Sequence, residues 1–287
     1  MITQDEKKQV SGWFPTLILP RPEDSHKGTF GTLNIIGGAE TMSGACVLAG
    51  TAALKSGCGK VIIGFNQESL AVQLIDTVPE LILNKASQLF EGELPSAWVI
   101  GCGLGTSTEA VSFIQKMIKH IHQGEKVLID ADGLNILAKF TGEIELSDKT
   151  VITPHVKEAS RLLQTDSQSI QSDRLGSAQA LSTRYGCWVV LKGHRTVIAA
   201  PDGRTWVNET GNSGLATAGS GDVLSGIIGS LLAQSIPFEE AVRAGVWLHG
   251  KAADMLVADG IGPIGLTAHE IIDYVRKIRN QITNHDI

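Results

Sequence analysis

Residues Gly211 to Gln234 read GNSGLATAGSGDVLSGIIGSLLAQ, and the rest of the chain is best understood outward from them. The front half is Gly, Ser and Thr; after Gly221 the stretch becomes an apolar run with helical spacing. A loop of small residues feeding a helix start leaves several backbone N–H groups unpaired and aligned. With the positive end of the helix dipole they form an anion site. Gly219 and Gly221 let backbone approach a phosphate closely, because no Cβ intervenes. Asp222 stands at the mouth of that site. Two readings of it are open at this point: a plain helix N-cap, a position Asp favours, or a carboxylate placed beside a bound anion.

Outward from this stretch, the chain upstream alternates strand and helix. Leu33 to Ile36 is an apolar strand ending in Gly37-Gly38, followed by a small-residue helix over Ser43 to Ser56 and a strand over Lys60 to Phe65. The pattern repeats: a strand over Ala97 to Ile100 opens into GCGLGT, with a helix from Thr108 to His122. A strand over Lys126 to Ile129 opens into DADGLN, with a short helix behind it. A strand over Thr150 to Thr153 opens into PHVKE, with helices over 156–164 and 170–185. Then the rhythm changes. Cys187 to Leu191, Thr196 to Ala200 and Thr205 to Asn208 read as a meander, the last two joined by a Pro-Asp-Gly turn. After Asp222 the chain is helical over 222–234, 238–258 and 267–282. Barrels of alternating strands and helices keep alternating to their end, so an open, mostly parallel sheet with helices on both faces and an antiparallel edge fits better. Residues 1–25, with Pro15, Pro20 and Pro22, read as an irregular lead with one short helix, and residues 26–287 as a single domain.

Composition narrows the function. The 287 residues are 43% hydrophobic and 19% charged, ordinary for a chain with a sizeable core. A net charge of −6 argues against a nucleic-acid or anionic-membrane surface. The four cysteines, Cys46, Cys58, Cys102 and Cys187, form no C-x-x-C and sit in apolar or Gly-rich contexts, as buried thiols do. The N-terminus lacks an apolar signal core and no apolar run reaches membrane-spanning length, so a soluble, cytoplasmic protein is expected.

Familiar phosphate signatures fail. A Walker loop would need glycine at Leu54 and Ser or Thr at Val61, and GCGLGT has Thr106 where a dinucleotide fingerprint needs glycine. Lys192-Gly193-His194-Arg195-Thr196 joins two strands, either as a basic surface turn or as a phosphate or nucleotide contact at the sheet's end. His155 and Glu158, one helical turn apart, share a face, as a cap with a solvated acid or as site residues. Asp130 and Asp132 flank Ala131; strand alternation would send them to opposite faces, so at most one need face a ligand. What favours the functional readings is convergence: the Gly-rich and polar segments follow strands or enter helices, and all gather at one edge of a parallel sheet.

These segments also carry a resemblance. GLATAGSGDVLSGIIGSLLAQ is similar to the anion-hole signature of ribokinase-like enzymes. Together, HKGTFGTLNIIGG, SGACVLAGTAALKSGCGKV, GCGLGT, VLIDADGLNIL, TPHVKEASRLL, VVLKGHRTVI and NETGNSGLATAGSGD resemble, in order, the ADP- or ATP-dependent (S)-NAD(P)H-hydrate dehydratase family. The match runs from about His26 onward; His194 and Thr217-Ala218 depart from the pattern at donor contacts. The resemblance implies a ribokinase-like catalytic domain that repairs hydrated NADH or NADPH, in a stand-alone form without the epimerase domain of many relatives. The hydrated ring's hydroxyl would be phosphorylated from ADP or ATP with Mg²⁺, and phosphate then expelled.

Carried over position by position, Asp222 would be the catalytic base, with Gly219 and Gly221 at the anion hole. Ala45, Gly103, Gly105, His155, Asn208 and Asp222 would face the hydrated cofactor. Lys192, Gly193, His194, Arg195, Thr196 and Gly221 would face the nucleotide. No metal ligands follow. A homo-oligomer, a tetramer by family resemblance, is expected. A ribokinase-type small-molecule kinase, close to hydroxyethylthiazole kinase, is the alternative, and a non-catalytic nucleotide sensor a further one.

Overall fold

Apolar runs that end in glycine or Asp become the inner strands of one sheet in the computed structural model, which describes residues 1–70, 72–141 and 144–283. Strands β1 (Thr32–Gly37), β2 (Lys60–Phe65), β3 (Ile82–Lys85), β4 (Ala97–Ile100), β5 (Val127–Ile129), β6 (Thr150–Ile152) and β7 (Trp188–Leu191) are parallel. Strands β8 (Val197–Ala199) and β9 (Thr205–Val207) fold back antiparallel. The order across this nine-stranded sheet is β3-β2-β1-β4-β5-β6-β7-β8-β9, the parallel sheet with an antiparallel edge meander that the sequence predicts. Strand β3 is absent from the sequence reading. It is a short edge strand, exposed or half-buried throughout, and so carries no apolar run.

Helix α1 (Gln4–Trp13) precedes the sheet. Helices α2 (Ser43–Lys55), α3 (Ala86–Leu89), α4 (Thr108–His122), α5 (Asp132–Leu137), α6 (Val156–Leu163), α7 (Ser167–Ser172) and α8 (Arg174–Tyr185) lie between strands. Helices α9 (Ser220–Ala233), α10 (Phe238–Ala258) and α11 (Ala268–Ile282) follow the meander. The single helix predicted over 170–185 is instead two, because Asp173 ends α7 and accepts the Gly176 N–H (2.8 Å) to start α8.

Strand alternation divides the core in two. In β4, Ala97 and Val99 join Leu33, Ile35 and Ile63 beneath α2, α9, α10 and α11, while Trp98 and Ile100 join Ile129 and Ile152 beneath α4, α5, α6 and α8. Helices α2 and α9 touch backbone to backbone: a Cβ on Gly226 would sit 2.1 Å from the Ala49 carbonyl oxygen. That contact holds α9 against α2. The residues ahead of His26 are anchored too. Val10, Phe14 and Leu17 enter the first core, and the Leu17 N–H donates to Glu240 Oε1 at 2.6 Å. No helix among the described residues is long and apolar enough to cross a membrane.

Between β1 and β4 the strand order reverses direction, which opens a crevice at the strands' carboxyl ends. The loops after these strands are stitched together there: the Gly38 N–H donates to the Cys102 carbonyl (2.9 Å) and the Ala39 N–H to that of Gly103 (2.7 Å).

Candidate active site

The start of α9 resolves the two readings of Asp222. The N-cap is Gly219, at φ 86°, and no side chain caps the helix. A residue with a Cβ would be strained there and would press within 2.5 Å of Leu48 Cδ1. Asp222 is the third helical residue, so its carboxylate is not spent on a cap. The first-turn N–H groups of α9 have no intrahelical acceptor and lie at the positive end of the dipole; that of Ser220 donates to the Thr217 carbonyl at 3.4 Å. The loop ahead is pinned by Asp254 on α10, which accepts from the Gly211 N–H (2.9 Å) and Asn212 Nδ2 (3.0 Å).

Across from this helix lies the turn between β7 and β8, and the two enclose a cleft of about 500 Å³. All five residues from Lys192 to Thr196 line it, as do Gly221 and Asn208. The turn is closed by Thr196 Oγ1 donating to the Gly193 carbonyl (3.0 Å), with Arg195 in the left-handed region at φ 55°. The Arg195 side chain extends to Glu209 in an exposed ion pair. Asn208 is held by Thr210, giving Nδ2 to its carbonyl and accepting from its hydroxyl. It thus sits beside the Lys192–Thr196 turn, apart from the other residues expected at the cofactor.

The charged centre lies where the cleft meets the sheet. Lys192 Nζ donates to Asp130 Oδ1 at 2.7 Å, and Ser225 Oγ on α9 donates to Asp130 Oδ2 at 2.8 Å. Burial works against the Lys192 charge, but Asp130 and Glu158 more than offset it, so the ammonium is held above its ordinary pKa. Strand alternation does not govern the two aspartates, because β5 ends at Ile129 and Ala131 turns to φ 47°. Both therefore serve the same edge of the sheet: Asp130 on Lys192, and Asp132 accepting the Gly105 N–H at 2.9 Å.

Asp222 faces this centre. Its carboxyl is pushed up to about 6, chiefly by burial and then by the Asp130 charge, with Lys192 opposing. A carboxylate tuned toward neutrality is suited to take a proton from a hydroxyl near physiological pH. Cys102, Asp130 and Asp222 bring ligand atoms within 4.8 Å of one another. Burial and the two carboxylates push the Cys102 thiol well above its ordinary pKa, and a sulfur ligand is not among the oxygen donors that Mg²⁺ selects. Two carboxylates beside a phosphate site match what Mg²⁺ takes, namely one or two carboxylates plus phosphate oxygens. The donor set fits Mg²⁺ better than zinc.

The residues expected at the hydrated cofactor occupy the crevice side. A Cβ on Gly103 would lie 3.1 Å from Ala45 Cβ, so these two and Gly105 line the reversal point between β1 and β4. His155 caps α6: its Nδ1 accepts the Lys157 and Glu158 N–H groups at 3.0 and 3.1 Å. Its ring remains half exposed at the rim, with Nε2 3.5 Å from Glu158 Oε1. Glu158 is buried, not solvated, and burial raises its pKa against the pull of Lys192. Sequence reasoning missed Ser225, the pairing of Asp130, and His249, a buried residue of α10 that lines the cleft.

A parallel sheet with an antiparallel edge, an anion site at a glycine-capped helix and a carboxylate beside it define a ribokinase-like nucleotide-dependent enzyme fold. The structure is similar to that of a ribokinase-like superfamily protein from Enterococcus faecalis (TM-score 0.82, 27% identity, 93% of this chain and 92% of that one). More specifically, residues 33–277 match the family model of NAD(P)H-hydrate dehydratase, and the chain belongs to that family. It is 48% identical to an ADP-dependent (S)-NAD(P)H-hydrate dehydratase of Neisseria meningitidis, over 94% of this chain and 92% of that protein. An ADP/ATP-dependent NAD(P)H-hydrate dehydratase of Bacillus subtilis, co-crystallised with ATP/Mg²⁺, superimposes with a TM-score of 0.82 at 31% identity, covering 96% and 97% of the two chains. The chain spans about half the length of the bifunctional repair enzyme of Escherichia coli that it also matches.

Proposed function

We propose that the chain dehydrates (S)-configured hydrated NADH and NADPH back to the reduced cofactors, at the expense of ADP or ATP. The observation that carries this is the meeting of three features at one point: the Lys192–Thr196 turn, the open N-terminus of α9, and Asp222 facing the reversal crevice. The nucleotide lies in the cleft with its phosphates toward Gly221 and Lys192. The hydrated nicotinamide enters from the crevice past Ala45, Gly103, Gly105 and His155. Asp222 is then placed between donor and acceptor.

The chemistry follows from that placement. Hydroxide is a poor leaving group and phosphate a good one. Asp222 takes the ring hydroxyl's proton while its oxygen attacks the terminal phosphorus, releasing AMP from ADP. The N–H groups from Gly219 to Gly221 hold the transferred phosphoryl group. The Asp222 and Asp130 carboxylates would hold Mg²⁺, which would supply charge neutralisation beside the donor's phosphates. The phosphorylated ring then loses inorganic phosphate as its nitrogen donates an electron pair, and loss of a proton from the neighbouring ring carbon restores the reduced nicotinamide. Lys192, fixed by Asp130, is a positioned cation for the donor's phosphates. The family match and the crevice favour this over a kinase that releases a stable phosphate ester. Assembly into a tetramer rests on the family resemblance.

The test is recovery of reduced-nicotinamide absorbance from the hydrate with ADP or ATP and Mg²⁺. Recovery that needs nucleotide, with matching phosphate release, supports the reading; a stable phosphorylated alcohol as end product refutes it in favour of the kinase.

A further inference from the structure

A second cavity, of about 640 Å³, lies away from the crevice. Ser56 and Gly57 on its wall lead into β2, and Thr77, Val78 and Glu80 lead into β3, which puts it at the strands' amino ends. The chain carries a net charge of −6. Yet the cavity is lined by the cations Arg21, Lys55, Arg276 and Arg279, against Glu80 as the one acid among the described residues.

The four cations are not alike. Lys55 Nζ (2.6 Å) and Arg276 Nη2 (3.0 Å) share the Asp273 carboxylate. Arg21 and Arg279 pair with no carboxylate among the described residues, and their hydrogen bonds go to neutral oxygens. Arg21 donates to the Gly57 carbonyl, and Arg279 to the Leu17 carbonyl (3.2 Å) and Gln234 Oε1 (3.5 Å). The two guanidiniums also crowd each other. A Cβ on Gly57 would meet Arg21 Nη2 at 2.6 Å and the same Gln234 Oε1 at 2.8 Å, so both cations gather round one carboxamide. Burial and then the Arg21 charge push Arg279 down to about 10, with Glu240 opposing.

Capping explains where these arginines point, since Gly57 lies just past α2 and Gln234 just past α9. It does not balance their charge. A guanidinium carries five N–H donors in a planar fork, and the bonds above use one or two of them on each. Arg21 is exposed and held 3.7 Å over the Phe30 ring, so it is both open to a ligand and fixed in place.

We propose that this cavity is a second anion site, which takes the phosphate group of a small anion between Arg21 and Arg279, with Lys55 and Arg276 at its margin. Two unbalanced guanidiniums match the charge of a phosphate dianion, and their forks fit its oxygens in pairs. The site is separate from the nucleotide cleft. Helix α9 starts at the cleft and ends beside Gln234 after 14 residues, about 20 Å at 1.5 Å per residue.

The experiment is calorimetry at low ionic strength without Mg²⁺, with inorganic phosphate, pyrophosphate and ribose 5-phosphate as probes and chloride as the control. The expected result is a binding event in wild type that Arg21→Met weakens about tenfold or more. Arg21→Lys keeps part of it, and chloride at equal ionic strength does not abolish it. Tightest binding of ribose 5-phosphate assigns the cavity to an organic phosphate ester; tightest binding of phosphate or pyrophosphate assigns it to the inorganic anion. Cooperative melts show that the variants fold, and if Arg21→Met does not, Arg276→Met must weaken the same event. The proposal is overturned if wild type binds none of the three probes, a result that needs no variant. It is equally overturned if folded Arg21→Met binds every probe as tightly as wild type, or if chloride displaces them all.

Discussion

Replacing Asp222 by Asn separates what the carboxylate does for the reaction from what it costs the fold. The group's folded pKa is raised, from the usual carboxylate range near 4 to about 6. The native state therefore binds its proton more tightly than the unfolded chain does. Stability is undiminished below about pH 4 and falls as pH rises through the window from about 4 to 6. Above it, the ionised group destabilises the fold by about 3 kcal/mol at 1.36 kcal/mol per pH unit. Partial solvent screening reduces this to about 2 kcal/mol. Asn keeps the size and carries no charge. Asp222→Asn should therefore melt higher than wild type at pH 7, by roughly 4–8 °C for a chain of this length, and the gap should close toward pH 4. Turnover should move the other way, with kcat down by roughly 10²- to 10⁴-fold as the general base is lost. The assays are melts across that pH range and kcat on the same preparation. A folded variant that turns over at near wild-type rate would falsify the assignment of the base. Equal melting of the two proteins at pH 7 would refute the electrostatic reasoning.

Three further outcomes follow from the same geometry. In wild type, kcat/KM for the hydrate should fall as pH drops through about 6, where Asp222 takes up a proton; a flat acid limb down to pH 5 argues for another base. Lys192→Met leaves Asp130, whose side chain is 2% exposed, without its cation, and should cost about 3–5 kcal/mol in a urea melt. The Lys192→Met, Asp130→Leu double variant should recover much of that loss, and additive losses would count against a coupled pair. Gly221→Ala places a Cβ 3.4 Å from Lys192 Nζ, an ordinary contact. Its melting temperature should hold while nucleotide affinity drops, and unchanged ADP binding would move the phosphates elsewhere.

Much of this fold is legible in the sequence, for a physical reason. Inner parallel strands are buried on both faces, so 33–36, 97–100 and 188–191 stand out as apolar runs, and each inner strand delivers its loop to one edge. Strand β3 is hidden because an edge strand need not be apolar. The site is legible where chemistry is local, as in the Lys192–Thr196 turn and the glycines before α9. It is not where partners are distant. The ion pair of Lys192 with Asp130 spans 62 residues and the bond from Ser225 to Asp130 spans 95, separations that no local spacing reveals. A cap is one of the two readings the sequence leaves open for Asp222, because Asp favours that position. The observed cap at Gly219 is set by a left-handed backbone that composition does not show. His249 stays invisible for a third reason: it interrupts an apolar helix with no second ligand at metal spacing, so only its place in the cleft wall, seen in three dimensions, sets it apart.

The central claim is that the ring hydroxyl is phosphorylated before it leaves, and the fate of its oxygen tests this most directly. Hydrated NADH carrying heavy oxygen at that hydroxyl is converted with unlabelled ADP and Mg²⁺ in ordinary water, and the products are read by mass spectrometry. Phosphorylation followed by elimination places the heavy oxygen in inorganic phosphate, one label for each reduced cofactor restored. Label recovered in water, with unlabelled phosphate, would mean that the hydroxyl departs directly and the nucleotide serves only as an effector.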